Sequence, residues 1–195
     1  LNVLPADRDA FAARIEALSD HAAPLYPVVP GRLVAINGEP VRQLVSKESQ
    51  GERAIRRDLS LTWAKDLPSD NRLTAGQWWT GAPGELPGVS VEAELAESLQ
   101  VQLGDRLSFT VGGLTRDVSV TSLREVNWDS FQPNFFLLAP PGVLDGNVPT
   151  QYLTSAYLDP TQRPILRDLV AAFPNVTALD INALLTQVRG IMDRI

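Results

Sequence analysis

An α+β fold is predicted, from three features. The first and last thirds of the sequence each alternate short β-rich runs with one amphipathic helix. The middle is β-rich, dense in glycine and proline, and holds one short helical stretch. At 44% hydrophobic and 21% charged residues, the chain can build a core and is not of disordered composition. Residues 1–69 and 151–182 read as two halves of one α/β sandwich lobe. Their order is strand–helix–strand–strand plus strand–helix–strand, with helices on one face. Residues 70–150 read as an inserted β-rich lobe, and residues 183–195 as a terminal helix.

Taken in order, residues 1–4 are a short apolar strand ahead of Pro5. Asp7 is a plausible N-cap for a helix to about Ser19, with Phe11, Ile15 and Leu18 on its apolar face. Residues 25–36 are β-rich, and Pro27 and Pro30 mark part of that run as an edge or a bend. Asn37-Gly38 is a hairpin turn signal before Val41–Val45. Residues 46–57 read as a loop or a short irregular helix. Leu59, Leu61 and Trp63 alternate with polar or small residues, a half-buried strand ended by Pro68 to Asn71.

Residues 72–88 read as a loop anchored by Trp78 and Trp79. A strand at Val89 and Val91 leads into a short helix, Glu92 to Leu99. Glu94 and Glu97 face solvent there, away from Leu95 and Leu99. Gly112-Gly113 joins strands 106–111 and 116–123 as a tight hairpin, and residues 134–139 and 152–158 are further strands. Asp159, Pro160 and Gln162 make a box-like helix start, although Pro164 argues for a start nearer 163. Its apolar face holds Leu166, Leu169 and Phe173. Residues 176–181 read as the last strand, and Asn182 as the cap of the final helix.

Chemistry is sparse. With no cysteine and a single histidine, His21, thiol nucleophiles and multi-histidine metal sites are excluded, and no cofactor is expected. His21 reads as a surface or capping residue. The glycines do not open a helix after a strand, so no phosphate loop is present. A net charge of −6 with scattered basic residues argues against nucleic acid. Trp78, Trp79 and Trp128 are the residues most open to a functional role, as contacts for a partner or an apolar ligand. The alternative is that they pin a long loop to the core. No run of residues is long and apolar enough to span a bilayer. Both ends read as boundaries within a longer protein.

The order of several short motifs carries a resemblance. Residues 89–109, VSVEAELAESLQVQLGDRLSF, residues 116–126, RDVSVTSLREV, and residues 134–140, NFFLLAP, resemble successive segments of FtsX/MacB-type ABC transporter permeases. Residues 25–41, LYPVVPGRLVAINGEPV, are similar to a segment of the YbbP-type subgroup. The resemblance implies a MacB periplasmic-core-like fold with the sandwich lobe proximal to the membrane. It implies a non-catalytic periplasmic domain of a bacterial inner-membrane protein, with residues 183–195 leading towards a transmembrane helix. It further implies coupling of ATP hydrolysis by a cytoplasmic ATPase to periplasmic motion. A lysophospholipase-like esterase and lipid or other hydrophobic substrates are its implied partners. Two other classes stay open from the residues alone: a secreted or periplasmic hydrolase with an unrecognised site, and a solute-binding module with a cleft between lobes.

Overall fold

In the computed structural model, residues 1–44, 55, 58–79, 86–144, 148–181, 183, 184 and 187 are described. The strands are β1 Asn2–Val3, β2 Tyr26–Ile36, β3 Glu39–Pro40, β4 Leu59–Trp63, β5 Asn71–Gly76, β6 Gly88–Glu92, β7 Arg106–Val111, β8 Leu114–Val126, β9 Leu137–Ala139 and β10 Gln151–Leu153. The helices are α1 Arg8–Leu18, α2 Val41–Leu44, α3 Ala93–Leu99 and α4 Arg163–Ala172. Strands outnumber helices, and the fold is mixed. The strand path runs β1-β10-β2-β4-β9-β6-β8-β5, with β7 bridging β2 and β8.

Two apolar cores flank β2. The larger joins Val29, Leu33, Leu59 and Leu61 to Val91, Leu95, Leu107, Phe109, Val120 and Leu137. The smaller joins Val3, Phe11, Ile15, Leu169 and Val176. β2 pairs with β10 through residues 26–28, with β4 through residues 29–31, and with β7 from Gly31 onward. β2 from Gly31 onward and β4 therefore pair with strands of the segment from 70 to 150. The cut expected at residue 69/70 does not coincide with a break in the sheet, because β-pairing joins segments distant in sequence. Packing changes partner within β2 instead.

The prolines of β2 fall where it has one neighbour: Pro27 opposes Tyr152 and Pro30 opposes Ser60. A residue without an N–H is tolerated at such a locally edge-like position. Both expected tight turns form with left-handed backbone at both positions, Asn37 (φ 51) with Gly38 (φ 83) and Gly112 (φ 57) with Gly113 (φ 80).

Several expectations are corrected. Residues 71–76 are a strand, β5, hydrogen-bonded to β8, and not loop. Their pattern, with Leu73 and Ala75 more buried than Arg72 and Thr74, is a weak alternation hidden among turn residues. The arm after Asn37-Gly38 is only β3, because Val41 turns its side chain into the core as the start of α2. Residues 176–181 make a single bridge, Asn2 to Thr177, since β1 is too short to hold a longer partner. The Asp180 carboxylate accepts the Ala183 amide at 3.1 Å, and the cap expected at Asn182 lies outside the described residues. The readings of residues 46–57 other than Ile55, and of all but Ala183, Leu184 and Gln187 in 183–195, lie outside the described residues.

Candidate functional site

The three tryptophans do not form one site. β5 and β8 run antiparallel, with Gly76 opposite Ser122 and Asn71 opposite Val126. Trp78 and Trp79 follow the first pair and Trp128 follows the second, so they lie at opposite ends of the β5–β8 ribbon. Gly76 sets the exit of the first group. Its φ is +74°, and a Cβ there would sit 2.2 Å from the Thr121 carbonyl oxygen. The two indoles then stack at 3.7 Å, and Trp78 Nε1 donates to the Lys65 carbonyl at 2.9 Å. Both rings are half-buried. The arrangement is that of an anchor, with little aromatic surface left for a partner.

Trp128 is 45% exposed, with one side against Phe136 at 4.9 Å between ring centroids. It stands on the segment 127–136, together with the more exposed Phe131. That segment is held by a polar network. The Asp70 carboxylate accepts from Asn134 Nδ2 at 2.6 Å, from Asn71 Nδ2 at 3.0 Å and from the Ser130 hydroxyl. The Asp70 carbonyl accepts the Asn127 amide at 3.0 Å. At the far end, Arg124 donates to the carbonyls of Phe135 and, at 3.4 Å, of Phe136.

Arg124 is fully buried. Its guanidinium is pulled down to about 10 by burial, while the charges of Glu92 and Asp70 pull it back up, so it stays cationic at neutral pH. Glu92 lies opposite Arg124 in the β6–β8 register and is also buried. Its side chain caps α3, accepting the Leu95 amide at 2.7 Å. Burial, with help from Asp70, pushes the Tyr26 phenol up, and its ring packs on Phe135. These contacts brace backbone: Arg124 holds two carbonyls, and Glu92 and Asp70 accept from an amide and from neighbouring side chains. Among the described residues, no group of three or more His, Asp or Glu could hold a metal ion.

A large concavity lies elsewhere. A groove of about 500 Å³ opens between α1, α4, the 155–160 and 178–181 segments and the tip of the 130–132 segment. Phe131, Tyr157, Leu166 and Leu179 line it, with His21 and Arg163 among them. His21 is exposed, as expected, but on this wall. The sequence reading missed the groove because its walls come from five separate stretches. The one local signal was exposed aromatics, Phe131 and Tyr157, next to turn residues.

No protein-family description matches the chain. A permease domain of known crystal structure from Porphyromonas gingivalis aligns with a TM-score of 0.39 at 13% identity. It covers 82% of this chain and 74% of that one, and a likeness so slight carries no argument. The uncharacterized ABC transporter permease YbbP of Escherichia coli (strain K12) is 40% identical over 163 residues, 84% of this chain. The chain spans only 19% of that relative's length. Among the described residues, no helix is long and apolar enough to cross a membrane, which is compatible with an extramembrane part of such a protein. Over most of its length, then, the chain is a homologue of one segment of a YbbP-type ABC transporter permease.

Proposed function

We propose that the chain is the periplasmic, non-catalytic domain of an ABC transporter permease of the FtsX/MacB type. In this reading, a cytoplasmic ATPase drives the membrane helices, and the domain turns that movement into work on hydrophobic or lipid substrates, or on a partner esterase of the lysophospholipase class. The observation that carries it is the 40% identity over 84% of the chain. The two cores on either side of β2 support a two-lobed moving part: each is packed internally, and one strand links them. The polar network agrees with the same reading, because its charges brace a loop. Partner contact falls to Trp128 and Phe131 on that braced loop, with Trp78 and Trp79 as its structural counterpart at the other end.

The test uses the whole permease with its ATPase. The chain has no cysteine, so Ala13→Cys on α1 and Leu114→Cys at the β7–β8 turn give two exposed spin-label sites, one near each core. A distance distribution that changes between the nucleotide-free and ATP-trapped states supports a domain moved by ATP. Identical distributions, with ATPase activity intact, would refute it.

A further inference from the structure

We infer that the groove beside α1 and α4 holds a single-chain amphiphile, its apolar body inside and its anionic head on Arg163 and His21. The inference deepens the transporter reading and rests on it for its purpose. At about 500 Å³, the groove lies within the roughly 300–1,000 Å³ of small-molecule sites. Its walls keep large apolar side chains in contact with water: Leu179 is 63% exposed, Tyr157 61% and Phe131 59%. Such clustering costs solubility unless something covers it. Each wall is tied to its own neighbours: Ser130, beside Phe131, bonds Asp70, and Ala156 bridges to Ala22 beside His21.

The polar groups select the head. Among the described residues, Arg163 has no carboxylate within ion-pair distance, and the His21 ring has no hydrogen-bond partner. An imidazole offers at least one N–H in either protonation state, and a guanidinium offers a fork of donors. The guanidinium therefore favours a carboxylate or a phosphate over a neutral or cationic head, and the imidazole adds a donor. Asp180 also lines the groove, accepts the Ala183 amide and lies beyond ion-pair distance of Arg163, so an anionic head has to sit on the Arg163 side, clear of it.

The experiment titrates the 195-residue chain with cis-parinaric acid and with its methyl ester, following the probe's fluorescence below its micellar concentration. Circular dichroism checks the fold of each variant. The expected result is saturable binding of the acid, weakened about tenfold in the ester and in Arg163→Ala, which is about 1.4 kcal/mol. Leu166→Glu, which puts a charge on the apolar wall, abolishes binding. Arg163 is exposed, so its replacement leaves the fold intact. Displacement by monomeric lysophosphatidylglycerol assigns the head to a phospholipid, and displacement by fatty acid alone assigns it to a free carboxylate. No saturable binding to the folded chain overturns the inference. So does equal binding of acid and ester that ignores Arg163→Ala. Either failure leaves the ATP-driven distance change untouched, so the two readings fail separately.

Discussion

Arg124→Met removes a guanidinium that is fully buried, and its effect can be worked from the structure. Two hydrogen bonds from a charged donor to the Phe135 and Phe136 carbonyls are lost. Each such bond contributes roughly 1.5–3 kcal/mol. Glu92, 3% exposed, is left without its facing cation. Glu92 is beyond ion-pair distance of Arg124, so what it loses is a longer-range attraction, smaller than the two hydrogen bonds. These terms overlap, so the expected loss is about 3–5 kcal/mol in total. In urea, with a slope of about 2 kcal/mol per molar, the midpoint falls by roughly 1.5–2.5 M. Adding Glu92→Gln keeps an oxygen for the Leu95 amide and removes the orphaned charge. The double variant should then recover about 1 kcal/mol or more. A single-variant loss below about 1 kcal/mol would refute the buried charge network. A full loss with no recovery in the double variant would show that Arg124 acts only through the two carbonyls.

The remaining expectations are simpler. Phe11→Ala empties the centre of the smaller core, where Phe11 is fully buried and meets Phe173 edge-on at 5.4 Å, and should cost about 3–5 kcal/mol by denaturant unfolding. Gln100 closes α3 in left-handed backbone (φ 56), with the Val101 amide on the Ala96 carbonyl, so Gln100→Gly should stabilise by about 0.5–1 kcal/mol; a destabilised variant would contradict that. The Asp159 carboxyl is held below its ordinary 3.8, first by the Thr161 amide and then by its hydroxyl. A lowered carboxyl pKa adds stability above the ordinary value, and that stability is lost as pH falls through the folded-state value. The melting-temperature gap between wild type and Asp159→Ala should therefore be full at neutral pH and close as pH drops below 3.8; a gap that persists in acid would rule out the carboxylate cap. Trp78→Ala with Trp79→Ala should lower the melting temperature while partner capture by the whole permease is kept; the reverse pattern would make this pair the docking site.

What was legible in the sequence was what local rules decide. Asn37-Gly38 and Gly112-Gly113 specify left-handed turn positions, and both formed. Asp159 with Gln162 specifies a box, and both of its hydrogen bonds are present. Helices α1 and α4 followed from apolar spacing. The failures are those of partnership. β5 is polar along most of its length and is a strand only because β8 extends far enough to pair with it. Residues 176–181 have a strand's composition but meet a partner two residues long. Glu92 was legible only as the first residue of a short helix, yet the register with Arg124 buries it. For the candidate site, the aromatic types were visible but not their grouping. Trp78 and Trp128 are separated by the length of a ribbon, while His21, Phe131, Tyr157 and Leu179 meet across one groove.

The central claim is that this segment belongs to a permease and works on the far side of the membrane from the ATPase. A single cysteine at Leu114, 62% exposed, placed in the otherwise cysteine-free segment of the whole permease, tests it with a membrane-impermeant maleimide on cells whose outer membrane alone has been opened. Labelling as complete before as after lysis of the inner membrane is the predicted result. Labelling that appears only after that lysis would place the domain in the cytoplasm and contradict the account.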